Sequence, residues 1–539
     1  MSLRHRLSWK VLGLVLLAAV TTHLTVPSRA AAEVVYHRGI DGDPDTLDPQ
    51  KTSGTNESKI LRDLFEGLVA HDATGKLIPG VAQSWEVSGD GKTYTFHLRP
   101  NAKWSNGDSI QAADFVFSFR RLLTPETAAR YASLYYPILA AEKMHKRLGA
   151  GPDDLGVEAS DSQTLVIRLE RSTPYFLEIL ALQAAYPLHP GNVRMNGSDF
   201  VRPGVLVSNG AYSLFENIPN SHVVLKKNPQ YYDADSVQID TVYYHPVKDV
   251  TAGVRRFLAG ELHSASDFPT DQYKLLRDKL GAQVSVAPSL GTYYVAFNTQ
   301  KQPFSDSRVR NALSMVIDRE FLSEAIWSGT MLPAYSFIPP GIGNYGQPAE
   351  AAYKTITLIE REEAARRLLR AAGYGPGLQA LNVSIRYNES DNNRRTMVAI
   401  ASMWKNALGI NTIIINSDTT AHFSHLRNGG DFDVARGGWI ADYSDPQNFL
   451  FLFQSDNPGL NYSRYRNPDF DDLMRRAADQ TDLAVRARLL HTAETIIARD
   501  VPYVPLLFYA HRNIISTKLK GFYPNPVGAN ATRFMQLTP

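Results

Sequence analysis

Phe432-Asp433-Val434-Ala435-Arg436-Gly437-Gly438-Trp439-Ile440-Ala441-Asp442-Tyr443-Ser444-Asp445-Pro446 is the stretch on which the reading of this chain turns. A base and an acid, Arg436 and Asp442, flank a glycine pair and a tryptophan. Glycines at 437 and 438 would let another chain lie close to the backbone, and Trp439 would cover it. Plainer roles stay open for each residue. Asp442 can cap a helix or brace Arg436 as a structural ion pair. Trp439 can be core, and Arg427, beside Asn428-Gly429-Gly430, can be a solvated loop charge.

Outward from this segment, four further stretches precede it in order: Thr46-Leu47-Asp48-Pro49, Arg62-Asp63-Leu64-Phe65-Glu66-Gly67-Leu68, Lys103-Trp104-Ser105-Asn106-Gly107-Asp108 and Ser208-Asn209-Gly210-Ala211-Tyr212. Each is weak alone. Together they resemble the extracytoplasmic solute-binding proteins of family 5, the peptide-binding proteins of ABC importers, over nearly the whole chain. The likeness is strongest to the Gram-negative periplasmic oligopeptide-binding branch. The resemblance implies a mixed α/β (α+β) fold: a two-lobed clamp crossed twice by the chain, with an extra inserted subdomain. The expected division is residues 33–69, 190–289 and 510–539 for lobe I, 70–189 for the inserted subdomain II, and 290–509 for lobe III. It further implies capture of short peptides between the lobes by a monomer and delivery to an inner-membrane ABC permease complex. No cofactor, metal or catalysis is expected.

A free peptide carries an ammonium, a carboxylate and a row of amides, and each is costly to bury unpaired. A clamp therefore needs an acid, a base and strand edges that meet the amides. By matching to the family, Asp442 takes the ligand ammonium, and Arg436 and Arg427 are candidates for ligand carboxylates. Glu57 falls where the family places an acid lining the cleft. Gly438 and Trp439 complete the expected ligand-binding set.

Two departures modify the expectation. Trp327 and Asn393 stand where the oligopeptide receptors place basic groups for the C-termini of longer peptides. Ligands of two to four residues, or with an additional carboxylate, are therefore expected. Gly291 and Ile440 stand where relatives pair cysteines. The same scaffold also admits a murein-derived peptide, an opine or amino-acid conjugate, or a nickel chelate.

The N-terminus carries Arg4, Arg6 and Lys10, then an apolar run from Val11 to Val20, then Ala30-Ala31-Ala32. That order is a secretory signal peptide cleaved near Ala32, which places the protein in the periplasm. The leader contains four of the 56 basic residues and none of the 54 acids, so the remainder is slightly acidic, which argues against nucleic acid. The chain has no cysteine, which removes thiol catalysis and a lipidated mature N-terminus. What remains after the leader is too long for one core. Thr93–Leu98 and Thr164–Leu169 alternate like strands, and Glu360–Ala372 has a helical apolar stripe ended by Gly373.

Several letter matches fail in context. Gly341-Ile342-Gly343-Asn344-Tyr345-Gly346 follows Pro339-Pro340 instead of a strand, so it is no dinucleotide fingerprint. Asp41-Gly42-Asp43-Pro44-Asp45 lacks the glycine and glutamate of a calcium loop.

Overall fold

The computed structural model describes residues 33–52, 54–457 and 459–538. The leader and its cleavage point near Ala32 lie outside the described residues. The strand Thr93–Leu98 forms as its alternation predicts, and Tyr94, Phe96 and Leu98 point inward. It pairs with Thr164–Arg168 in a four-stranded sheet, completed by Ala82–Val87 and Val157–Ala159. The helix expected from Glu360 begins earlier, at Leu358, and runs to Ala371. Thr357 sets that start: its hydroxyl accepts the Glu360 N–H while the Glu360 carboxylate accepts the Thr357 N–H, satisfying two orphan donors of the first turn.

The main sheet has eleven strands, ten of them in a row. From one edge they are Asn411–Ser417, Asn382–Asn388, Val434–Ile440, Val284–Phe297, Tyr503–Ile515, Ser264–Ala265, Val35–Ile40, Thr241–Pro246, His222–Lys227 and Tyr212–Ile218. Leu332–Pro333 pairs beside Tyr503–Ile515. Parallel and antiparallel pairs are mixed, with helices packed on the sheet, so the fold is mixed α/β.

Separate hydrophobic cores divide the chain. Leu68 to Ala185 supplies one core, joined from outside by Tyr443. Tyr36, Phe65, Tyr212 and Tyr244 belong to a second. Tyr293, Trp404, Val434 and Val504 belong to a third. Two long strands pass between cores. Val284–Phe297 gives Val284 to a small core with Phe257 and Ile514, then Tyr293 and Val295 to the third. Tyr503–Ile515 runs the opposite way, giving Val504 and Leu506 to the third core and Ile514 to the small one. The two strands pair with each other, but their register shifts twice, between Pro288 and Thr292, opposite Ala510 and Phe508, and again between Tyr293 and Tyr294, opposite Leu507 and Pro505. A bulge of this kind breaks the ladder locally and bends the strands.

Candidate functional site

The strand Val434–Ile440 carries most of the site. Along its full length it pairs antiparallel with Val284–Phe297, from Val434 opposite Phe297 to Ile440 opposite Gly291. Its other edge meets Asn382–Asn388 only at Val434 and Ala435. The ladder parity can be read from its ends: Asn298 N–H donates to the Asp433 carbonyl (3.0 Å), and Ala441 N–H donates to the Leu290 carbonyl (2.7 Å). Odd-numbered residues therefore bond to the long strand, because antiparallel partners alternate. The N–H and C=O of Gly438 and Ile440 then point to the free edge, where an extended chain can add itself by main-chain pairing.

Arg436 is buried, with 9% exposure. One Nη donates to Asn388 Oδ1 (3.0 Å), the other to the Tyr509 hydroxyl (2.8 Å), and the guanidinium lies over the Tyr293 ring at 4.5 Å. Its Nε has no partner, and no carboxylate pairs with it among the described residues. Burial opposes the charge, but Tyr509 and Tyr293 outweigh it and raise the guanidinium pKa. The result is a desolvated cation held by neutral groups, with donor capacity to spare for an oxyanion. The fully buried ring of His422, on the helix Thr419–Arg427, donates from Nε2 to the Arg436 carbonyl (2.8 Å). Its Nδ1 is left unpartnered, and burial lowers its pKa to about 4.

Trp327 and Asn393 belong to this same cluster. The Tyr293 hydroxyl donates to Asn393 Oδ1 (2.9 Å), and Asn393 Nδ2 donates to Asn388 Oδ1 (3.2 Å). Trp327 packs edge-on against Tyr293 at 5.7 Å and donates its indole N–H to Thr396 (3.1 Å). The positions that lack basic groups thus form a neutral network below Arg436.

Asp442 is different. Its side chain is open to solvent, and among the described residues its one hydrogen-bond partner is the Tyr131 hydroxyl, a long contact of 3.4 Å. The surrounding walls still withhold enough water to raise its carboxyl pKa, with the Tyr131 bond opposing the rise. The same burial raises the Tyr131 phenol to about 12. The residues that follow fix the segment. Tyr443 stacks on Tyr175 at 5.0 Å, and Asp445 makes a buried bidentate pair with Arg486, both contacts 2.7 Å. Gly343, in the loop whose letters mimic a dinucleotide motif, donates its N–H to the Ser444 hydroxyl (2.9 Å).

Trp439 is half-buried, edge-on to Phe451 at 5.3 Å, and its indole donates to Asn448 Oδ1 (3.1 Å). The glycine pair has another use than the sequence suggests. A Cβ at Gly437 would lie 2.3 Å from the Tyr294 ring, and one at Gly438 would lie 2.6 Å from the Tyr509 hydroxyl. The protein's own rings fill that space, so the expected role in ligand approach is corrected for Gly437. For Gly438 the missing side chain also makes room for the Tyr509–Arg436 bond.

Two expected residues stand apart. Arg427, the exposed last residue of its helix, lies near Tyr462, where its charge opposes the rise that burial gives the phenol pKa. Glu57 is buried on the helix Thr55–Leu64, and its carboxylate accepts the Asp45 N–H (2.8 Å), bracing its own loop. Asp41, Asp43 and Asp45 bind no common point: Asp41 faces Lys59, and Asp43 accepts the Asn220 N–H. No group of three or more His, Cys, Asp or Glu suited to a metal occurs among the described residues. Tyr131, Asn388 and Tyr509 were missed by the sequence reading, since no local pattern ties them to residues 48 or more positions away.

Comparison with known proteins follows the same geometry. Residues 76–461 match the family model for bacterial extracellular solute-binding proteins, family 5 middle region. The chain is 37% identical over 510 residues to the periplasmic murein peptide-binding protein MppA of Escherichia coli (strain K12), covering 94% of this chain and 93% of that protein. Among solved structures, MppA in its unliganded open form superposes with a TM-score of 0.89 at 35% identity, over 94% of this chain and 98% of that one. Haemophilus influenzae OppA in complex with RPPGFSPFR gives 0.69 at 34% identity, over 94% and 99%.

Proposed function

The chain belongs to the bacterial extracellular solute-binding proteins of family 5, and from that premise we propose that it is a periplasmic receptor that captures short peptides for an ABC importer. The observation that carries this reading is one strand with three complementary features. Asp442 offers an accessible carboxylate to a ligand ammonium. Arg436 offers a buried guanidinium without a carboxylate to a ligand carboxylate. Between them the free edge at Gly438 and Ile440 meets ligand amides. Trp439 walls the groove, Arg427 supplies a second carboxylate anchor, and Glu57 supports the facing loop.

In this reading lobe I comprises residues 33–69, 190–289 and 510–539, subdomain II residues 70–189, and lobe III residues 290–509. The separate cores and the register shift near residues 288–292 and 508–510 support that division. The better superposition on an unliganded open relative supports an open state here, and Asp442 awaits both ligand and closure. The protein acts as a secreted monomer, its leader removed near Ala32, passes its cargo to an inner-membrane permease and catalyses no reaction.

A murein-derived peptide is the second reading, favoured by the extensive identity to a murein peptide-binding protein. Mass spectrometry of ligand released from natively purified protein separates the two cargoes. Calorimetry then tests the shared premise: N-acetylating a bound peptide is expected to abolish most of its affinity, and indifference to acetylation defeats the reading.

A further inference from the structure

A cavity of about 270 Å³ lies along the main sheet from Arg436, its nearest lining strand two strands away. Its walls carry Arg38 from the strand Val35–Ile40, Lys59 and Arg62 from the helix Thr55–Leu64, and Arg512 from the long strand Tyr503–Ile515. Two acids line it as well, and both are engaged. Asp267 pairs bidentately with Arg512 (2.6 and 2.7 Å), and Asp41 faces Lys59 at 3.5 Å.

Arg38 and Arg62 are left over. Arg38 is 3% exposed, donates to the Asn530 carbonyl (2.9 Å) and lies 5.5 Å from the Tyr244 ring centre. Arg62 donates to the Gly528 carbonyl (3.2 Å). Among the described residues neither forms an ion pair within 4.0 Å. Asp63 is buried nearby and offsets part of the charge of Arg38 and Arg62 through space, while its oxygens accept from the Tyr244 hydroxyl (2.7 Å) and the Thr532 N–H (2.8 Å). Burial, then neighbouring charges that include Arg38, hold the Arg62 pKa below its usual value, and burial does the same for Lys59. Charges crowded together and desolvated in this way are costly without a counter-ion, and an oxyanion would satisfy several donors at once.

The cavity joins the peptide site through a single strand. Tyr509 bonds to Arg436, and the next four residues, Ala510 to Asn513, line the cavity. At about 3.3 Å per residue, Tyr509 to Arg512 spans roughly 10 Å, which a tripeptide anchored at Arg436 covers with its backbone and one side chain together. We propose that this cavity is a subsite for a carboxylate on a side group of the captured ligand, so that acidic peptides are the preferred cargo. The inference rests on the peptide-capture reading above.

The test uses the full secreted chain with Ala-Glu-Ala, Glu-Ala-Ala and Ala-Ala-Glu, each against its Gln counterpart, by calorimetry. At one position the Glu form is expected to bind roughly tenfold or more tightly than the Gln form. Lys59→Gln and Arg62→Gln should each bring that ratio toward one while leaving the affinity for the Gln form within about twofold. Equal affinities at every position overturn the proposal, as does a Glu preference untouched by both substitutions. Inorganic phosphate distinguishes a ligand carboxylate from a free anion. Competition with the Glu form alone supports a shared cavity, and equal competition with both forms overturns it. If no tripeptide binds, the peptide reading has failed separately and the cavity is judged on phosphate alone. A rise in Tm in the native chain that both variants lose then supports an anion site, and the lack of any rise overturns it.

Discussion

The two charged ends of the site strand are built on opposite plans. Arg436 is buried, hydrogen-bonded on both Nη atoms, stacked on Tyr293 and braced through its carbonyl by His422. Asp442 is open to solvent and has one long contact, to Tyr131. The neighbouring Arg486–Asp445 pair shows what a purely structural buried arginine looks like here: fully compensated by a bidentate carboxylate. Arg436 has the same burial without the compensation. One end is thus preorganised, and its ordering cost is met during folding. The other end has its environment completed only when a ligand arrives.

The largest effect that can break this contrast is at the open end. Asp442→Ala leaves the fold intact, as expected of a side chain with so few contacts. It should weaken free-amine peptides by about 3–5 kcal/mol, or roughly two to three and a half orders of magnitude. N-acetylation should add little further loss in the variant, because both changes delete one interaction. A loss under about 1 kcal/mol, typical of an exposed pair, would assign Asp442 to the surface.

At the preorganised end, Arg436→Gln should cost about 1.5–3 kcal/mol in binding, the range for hydrogen bonds to charged groups. Amidating the ligand's C-terminus should abolish most of the difference between native and variant in calorimetry. If amidation weakens both proteins equally, Arg436 does not meet that carboxylate.

The brace beneath Arg436 predicts acid sensitivity. The His422 pKa is lowered to about 4, and Arg386, Arg436 and His425 all disfavour its protonation. The folded state therefore binds fewer protons than the unfolded chain, whose histidines titrate near 6.5. Its stability contribution is complete above about pH 6.5 and is lost as pH falls from there toward 4, on the order of 2 kcal/mol. The Tm of His422→Gln, which retains a side-chain donor, should fall less steeply than the native Tm between pH 7 and 4.5. His245, also lowered to about 4, and His37, His263 and His511, lowered by burial, contribute in the same window, so parallel slopes for both proteins would assign the acid sensitivity to that group.

The smallest effect concerns ligand length. With Trp327 and Asn393 neutral and engaged around Tyr293, tripeptides should outbind pentapeptides by a few-fold, about 1 kcal/mol. Tighter pentapeptide binding across several sequences would place another anchor further along the cleft.

Legibility in the sequence followed the range of the interactions. Thr93–Leu98 and the helix Leu358–Ala371 were readable because alternation and a capping box are local codes. The segment 432–446 was readable through family likeness, as was the relation of Gly291 to Ile440, which are direct partners across the ladder. Tyr509 was not readable: its hydroxyl meets Arg436 from 73 residues away, and no spacing rule reports that distance. The glycine pair was half-readable. Its need for space was evident, but the occupants, Tyr294 and Tyr509, come from other strands. Glu57 was matched to the cleft by family likeness alone, and no local pattern announced that its carboxylate also accepts the Asp45 N–H.

The paired passage of Val284–Phe297 and Tyr503–Ile515 between cores, with the ladder shifted at two nearby levels, also limits the degrees of freedom. A single strand joining two bodies can swivel about its own axis. Two strands fastened side by side resist that torsion and leave chiefly bending, at the two weakened levels. Every group a ligand presents, at Asp442, at Arg436 or along the free edge, must then act on the same angle. In the two-lobed reading proposed above, a ligand that fits only one of them would not be accommodated by a twist, and selectivity would follow from how far one door swings shut.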